Sequence, residues 1–337
     1  MLNYPSERLD KLLLIAGNGA DRYSLTGVGE KREELVFYSH TKRDTKRSSI
    51  MQHPLYRKAF FPGKYIQGAG ALGELPNLVS LFGGKGVMIA SGTSQRRILP
   101  ESGLDLAASS ITTEPFHGEC CETELARLAE IINEQQTRVV VAMGGGKAID
   151  TAKIAADRAG LPVIVVPTIA STDAPCSGCA VIYTDNGVFE SVANQKQNPA
   201  AVLVDTAVIA KAPARFLVSG MGDTLSTWFE ARSCERTGAA NECGGIATIA
   251  GLSLARLCFD TLLSYGRNAI AAVESQLVTP ALERIVEANT LLSGIGFESG
   301  GLASAHAIHN GFTALKETHA CYHGEKVAFG VLVGLHL

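Results

Sequence analysis

A chain of 337 residues, 46% hydrophobic and 19% charged, has the make-up of a globular protein with enough length for two cores. Its formal net charge of −3 lacks the basic excess that nucleic acid or an anionic membrane surface would require. No run approaches the roughly 18 apolar residues of a membrane span. Leu12 to Gly17 falls short of the apolar core of a secretory leader. The eight cysteines, at this length, read as reduced thiols of a cytoplasmic protein.

Residues 1–50 hold Lys42, Arg43, Lys46 and Arg47 in one polar run, show no strand–helix alternation, and are expected to be a peripheral extension. A regular pattern then sets in. Lys85 to Ala90 reads as a buried strand. Glu122 to Gln135 has Leu125, Leu128, Ile131 and Ile132 at helical spacing, with Thr123 as its N-cap. Arg138 to Met143 is a β-branched strand, Lys147 to Arg158 a helix, and Val163 to Val166 a strand ended by Pro167. Val181 to Tyr183 and Phe189 to Val192 flank Asp185-Asn186-Gly187, a hairpin signal, and Ala201 to Val204 is a further strand. This alternation predicts a mostly parallel sheet with helices on its faces. Beyond about Pro213 the strands stop, and Gly222 to Ser233, Ile246 to Leu263, Ala281 to Leu292 and Ala303 to Ala314 read as helices. The expected domains are an α/β unit over 51–212 and an all-α unit over 213–337.

Two loops at strand ends carry chemistry. Gly144-Gly145-Gly146-Lys147 follows a strand and opens a helix, where free N–H groups and the helix dipole favour a phosphate. It is neither a G-x-G-x-x-G fingerprint nor a P-loop, and the bland alternative is a tight turn. Asp150, one turn inside, would cap the helix or bind a polar nucleotide edge. Thr168 to Ser177 offers the hydroxyls of Thr168, Ser171, Thr172 and Ser177 and the carboxylate of Asp173, which suits a sugar, a phosphate or a small polyol. Cys176-x-x-Cys179 has no partner pair and follows a proline in a loop, so it is read as neither a zinc nor a redox motif.

The helical region holds three segments with candidate metal ligands. Asp223 is read at the opening of a helix, His306 and His309 share a helix face, and His323 lies in Tyr322-His323-Gly324-Glu325-Lys326. One aspartate and two histidines suit zinc or iron(II) with positions left open for substrate. No short zinc motif fits this spacing.

Taken together, the strings Pro62 to Gly68, Gly144 to Lys147 with Asp150, Pro167 to Ser177, Gly222-Asp223, Phe297 to Leu302, His306 to Gly311 and Tyr322 to Gly330 resemble the glycerol dehydrogenase family, within the iron-containing alcohol dehydrogenase superfamily. The likeness runs from about residue 60 onward. It implies a Rossmann-like nucleotide-binding sheet followed by an all-α domain, the dehydroquinate synthase-like architecture. It implies zinc held by Asp223, His306 and His323, and NAD lined by Gly145, Gly146, Lys147, Asp150, Thr168, Ser171, Ser177, Cys179 and Tyr183. Asp173 is implied to contact the hydroxyls of a polyol, with reversible oxidation of glycerol to dihydroxyacetone as the reaction. Large homo-oligomers are common in the family.

Two departures stand out. The family carries an acid at the end of the second strand, against the adenosine ribose, and the matching position here is Ser91, which predicts weaker discrimination of NAD from NADP. Related iron enzymes place a fourth ligand, a histidine, where this chain has Thr227, which favours the three-ligand zinc pattern. The family also continues with further helices after the third ligand, so the helical domain reads as truncated at Leu337. The alternative function is therefore a catalytically silent homologue that binds nucleotide or acts in an assembly. A lyase of the dehydroquinate synthase type would need a basic cluster in the cleft, and beyond Lys147 the motifs supply little.

Overall fold

The computed structural model describes residues 56–336; the proposed extension over 1–50 lies outside them. Eight strands are described: β1 (Tyr65–Gly68), β2 (Gly86–Ala90), β3 (Ile111–Pro115), β4 (Val139–Gly144), β5 (Val163–Pro167), β6 (Cys179–Tyr183), β7 (Phe189–Asn194) and β8 (Ala201–Asp205). Six form one parallel sheet in the order β1-β8-β5-β4-β2-β3. The four central strands, β8, β5, β4 and β2, are buried along their whole length. That is why they appear in sequence as unbroken apolar runs such as Val139-Val140-Val141-Ala142 and not as alternating patterns. β6 and β7 pair antiparallel in a sheet of their own. Gly187, at φ 77, supplies the left-handed residue of their turn.

The helices before Thr206 cover the sheet: α1 (Leu75–Leu81), α2 (Glu122–Glu134) and α3 (Gly146–Ala159). From Thr206 onward the described chain is helical: α4 (Thr206–Ala210), α5 (Ala214–Thr237), α6 (Ile249–Glu274), α7 (Pro280–Glu287), α8 (Ser293–Gly300), α9 (Ser304–Phe312) and α10 (His323–Gly334). Each start has a local cause. Thr248 and Thr279 accept hydrogen bonds from Gly251 N and Leu282 N, and Pro280 stands in the first turn of α7. Gly160 and Gly238 end α3 and α5 in left-handed geometry. Between α7 and α8 the chain passes through one wide π turn, Ala288–Leu292, without leaving the helix. No helix among the described residues is long and apolar enough to cross a membrane.

Two local expectations are corrected. The cap of α2 is the extended residue Cys121, not Thr123, because the chain already turns helical at Glu122. Asp223 lies well inside α5, not at a helix start. Pro213 sets the start at Ala214, and the glycines that look like a break are needed where α5 and α10 cross. A Cβ on Gly222 would stand 2.5 Å from Gly324 O, and one on Gly324 1.8 Å from Ser219 O. The two backbones touch there, which brings Asp223 and His323 face to face.

Candidate active site

The site forms where the carboxyl ends of β4 and β5 meet the helices. Strand register puts Gly144 beside Pro167. Thr168 N donates to Gly144 O at 3.0 Å, joining the glycine turn to the polar loop. A Cβ on Gly145 would come within 2.9 Å of Ile169 Cδ1, so a larger residue would have to displace that side chain. Lys147 pairs with Glu119 at 2.5 Å and lies 5.1 Å above the Tyr183 ring. Ser171 O accepts from Ser219 Oγ of α5, which anchors the loop on the helical side.

Asp150, Ser177 and Cys179 are held by protein partners. Asp150 Oδ2 accepts from Val181 N at 3.0 Å, and burial raises its carboxyl above the ordinary range although Lys153 pulls the other way. Lys153, which sequence reading passed over, is 1% exposed. Its ammonium donates to Ala174 O, Cys179 O and Ser177 Oγ at 2.9, 2.5 and 3.3 Å, and stands 3.8 Å from Asp150. A buried cation so surrounded fixes the 174–179 loop onto α3. Its one sequence signal is its spacing three residues after Asp150 on the same helix.

Across the loop, Asp223, His306 and His323 each present one donor atom, all within 4.8 Å of one another. Asp223 Oδ1 is 3.2 Å from His323 Nε2 and 3.4 Å from His306 Nε2, and Asp223 is fully buried. Burial opposes its ionisation, yet the two imidazoles hold its carboxyl well below the usual carboxylate range. One buried carboxylate and two imidazole nitrogens converging in this way fit a divalent transition metal.

The ligand candidates are themselves held. Glu230 Oε2 lies 2.6 Å from His306 Nδ1, while its Oε1 accepts from Ala303 N and His306 N. This directs His306 Nε2 toward Asp223. Glu230 was missed in the sequence although it stands two turns beyond Asp223 on one face of α5. His309, which shares a helix face with His306, turns instead to His323, with Nε2 3.0 Å from His323 Nδ1. Burial and the neighbouring imidazole depress it to about 2. Asp173 N donates to Asp223 Oδ2 at 3.2 Å, and Asp173 Oδ2 accepts from Ser293 Oγ at 2.9 Å. Burial and the charge of Asp223 push the Asp173 carboxyl well above its ordinary range. Thr227, one turn after Asp223, extends this chain through Ser293 Oγ at 2.8 Å.

Cys176 is fully buried and its thiol is pushed up by that burial, whereas Cys321 is exposed. Iodoacetamide at neutral pH should label Cys321 in the native protein and leave Cys176 untouched, as read by peptide mass spectrometry. Equal labelling of both would contradict the burial.

Comparison with known proteins agrees with this geometry. Residues 62–206 match the family model described as iron-containing alcohol dehydrogenase. The chain is 53% identical over 278 residues to the glycerol dehydrogenase of Thermotoga maritima, covering 82% of this chain and 76% of that protein. It is 52% identical over 280 residues to the glycerol dehydrogenase of Pseudomonas putida, with the same coverage. A crystal structure of a probable glycerol dehydrogenase from Sinorhizobium meliloti superposes with a TM-score of 0.78 at 46% identity, over 82% of this chain and 77% of that one. The chain belongs to the iron-containing alcohol dehydrogenase family and is an oxidoreductase.

Proposed function

We propose that this protein oxidises glycerol to dihydroxyacetone, reversibly, with NAD as hydride acceptor and zinc as the resident metal, as a cytoplasmic homo-oligomer. The observation that carries the proposal is the buried Asp223, His306 and His323 cluster beside Asp173, facing the glycine turn across one loop. Relatives at 53% and 52% identity bear the name glycerol dehydrogenase, which supports the substrate class. Thr227 offers no nitrogen ligand one turn after Asp223, which supports zinc with three protein ligands over an iron site with four.

The division of labour follows from the residues. When bound, the metal supplies Lewis acidity toward a substrate hydroxyl and the nicotinamide accepts a hydride. Asp223, His306 and His323 would hold the metal. Asp173, its carboxyl kept protonated by burial and by Asp223, would donate to or accept from an adjacent hydroxyl and so orient a vicinal diol. The turn at Gly145, Gly146 and Lys147, with Thr168, Ser171 and the edge at Asp150, Ser177, Cys179 and Tyr183, would receive the dinucleotide. The halves 51–212 and 213–337 would close on it from either side and exclude water.

The test is NADH formation at 340 nm from purified protein, glycerol and NAD⁺, with added Zn²⁺ and with a chelator control. Turnover that a chelator removes and Zn²⁺ restores is the expected result. A folded, zinc-loaded protein that binds NAD but never turns over would replace the proposal with a silent, nucleotide-binding homologue.

A further inference from the structure

The end of β2 contains a feature the proposed reaction does not use. In doubly wound folds the strand beside the glycine turn ends against the adenosine ribose, where a carboxylate selects NAD and a nearby arginine accepts the 2′-phosphate of NADP. Here β2 lies next to β4, with Ala90 opposite Met143. Ser91 N donates to Met143 O at 2.9 Å, and a Cβ on Gly144 would lie 3.1 Å from Ser91 Cβ. Ser91 therefore abuts the first glycine of the turn. The sequence from there is Ser91-Gly92-Thr93-Ser94-Gln95-Arg96-Arg97, with hydroxyls and guanidinium groups and no carboxylate.

Arg96 is placed to use that gap. Its guanidinium lies over Gly92, where a built Cβ would be 3.0 Å from both terminal nitrogens. Arg96 is exposed. Among the described residues neither a hydrogen bond nor an ion pair engages it. A glycine under a guanidinium leaves room for a ligand to approach its planar fork, which matches a phosphate in two-point geometry. Ser91 Oγ meets Ser94 Oγ at 2.8 Å, so hydroxyls line the same corner.

We infer that Ser91, Gly92 and Arg96 form a 2′-phosphate subsite, so that the chain uses NADP at least as well as NAD, with Arg96 as the specificity-determining residue. This rests on the nucleotide site proposed above, and the experiment separates the two. Isothermal titration compares 2′,5′-ADP with 5′-ADP on the full chain, without metal or polyol. The 2′-phosphate should tighten binding by about tenfold, the size expected of one charge-assisted contact. That advantage should shrink as salt rises. Arg96→Ala should remove most of the ratio between the two ligands, and Arg96→Lys should restore part of it. Ser91→Asp, which preserves the cap on the turn, should invert the ratio. Steady-state kinetics should agree, with kcat/KM for NADP no lower than for NAD. If 5′-ADP binds and the 2′-phosphate adds nothing, or if NAD is preferred by about a hundredfold (about 2.7 kcal/mol), the subsite is wrong and the nucleotide site stands. If neither ligand binds, both fall.

Discussion

Replacing His306 by alanine lowers kcat for glycerol oxidation by roughly 10²-fold or more, because a Lewis acid contributes several kcal/mol to the transition state and each ~1.4 kcal/mol is tenfold. The effect is large because His306 has two roles. Its Nε2 is one of three donor atoms within 4.8 Å, and its Nδ1 is the group that Glu230 holds at 2.6 Å. Alanine deletes the donor and leaves Glu230 buried without its cation. The milder Glu230→Gln keeps the donor and loses only the charge behind it, so a loss of about 10–100-fold in activity or metal affinity is expected. Metal content by atomic emission should fall in the same order as activity. An alanine variant that retained its zinc and its turnover would remove His306 from the site.

Gly324→Ala is the second large effect, and it acts on stability. The added methyl would stand 1.8 Å from Ser219 O and 2.6 Å from Ser219 C, which are backbone atoms that cannot rotate away. α10 must then lift off α5, and both carry ligand candidates. Overpacking costs about 1–3 kcal/mol and occasionally more, and this contact belongs at or above the upper end. For a chain of this size the melting temperature should drop by on the order of 10 °C. Gly73→Ala is the control, since nothing lies within 4 Å of a Cβ there and its φ is not left-handed. It should be neutral or slightly stabilising. Equal melting curves for the two variants would show that the crossing is looser than described.

The sequence was most legible where burial is complete. The central strands are buried on both faces, so their apolar runs had one plausible reading, and their boundaries fall within a residue or two of expectation. The strands that escaped notice, Tyr65–Gly68 and Ile111–Pro115, lie at the two edges of the sheet. They are short and only partly buried, with polar residues such as Gln67 and Thr112 among them, so neither periodicity nor an apolar run marks them. Asp223 was misplaced for a related reason. Glycine carries a helix penalty in isolation, but Gly220 and Gly222 are retained because a neighbouring backbone occupies the space of their side chains.

The candidate site was legible unevenly. Asp223, His306 and His323 were named from their surroundings in the sequence, and the fold brings them together from α5, α9 and α10. The groups that hold them were not named. Glu230, Ser293 and Lys153 act through contacts with residues distant in sequence, and a buried glutamate or lysine looks the same in a sequence as a solvated one. The grouping of His306 with His309 shows the limit of local periodicity. Both lie on one helix, yet they point to different neighbours once α10 is in place.

The π turn at Ala288–Leu292 makes this stretch unusually sensitive to chain length. A π turn holds one residue more than an α turn in the same helix. Asn289, inside it, donates to Ala170 O and Leu217 O, and Ser293 and Glu298, beyond it, reach Asp173 and Gly178 N. Deleting any one residue of the turn would let the helix rewind regularly and rotate everything that follows by about 100°. Ser293 and Glu298 would then face away from their partners, with the amino acid at every other position unchanged. In a library of single-residue deletions, helix positions 288–292 should therefore be among the least tolerant, more damaging than most substitutions at the same sites. The extra residue here works as a phase setting for the helix behind it.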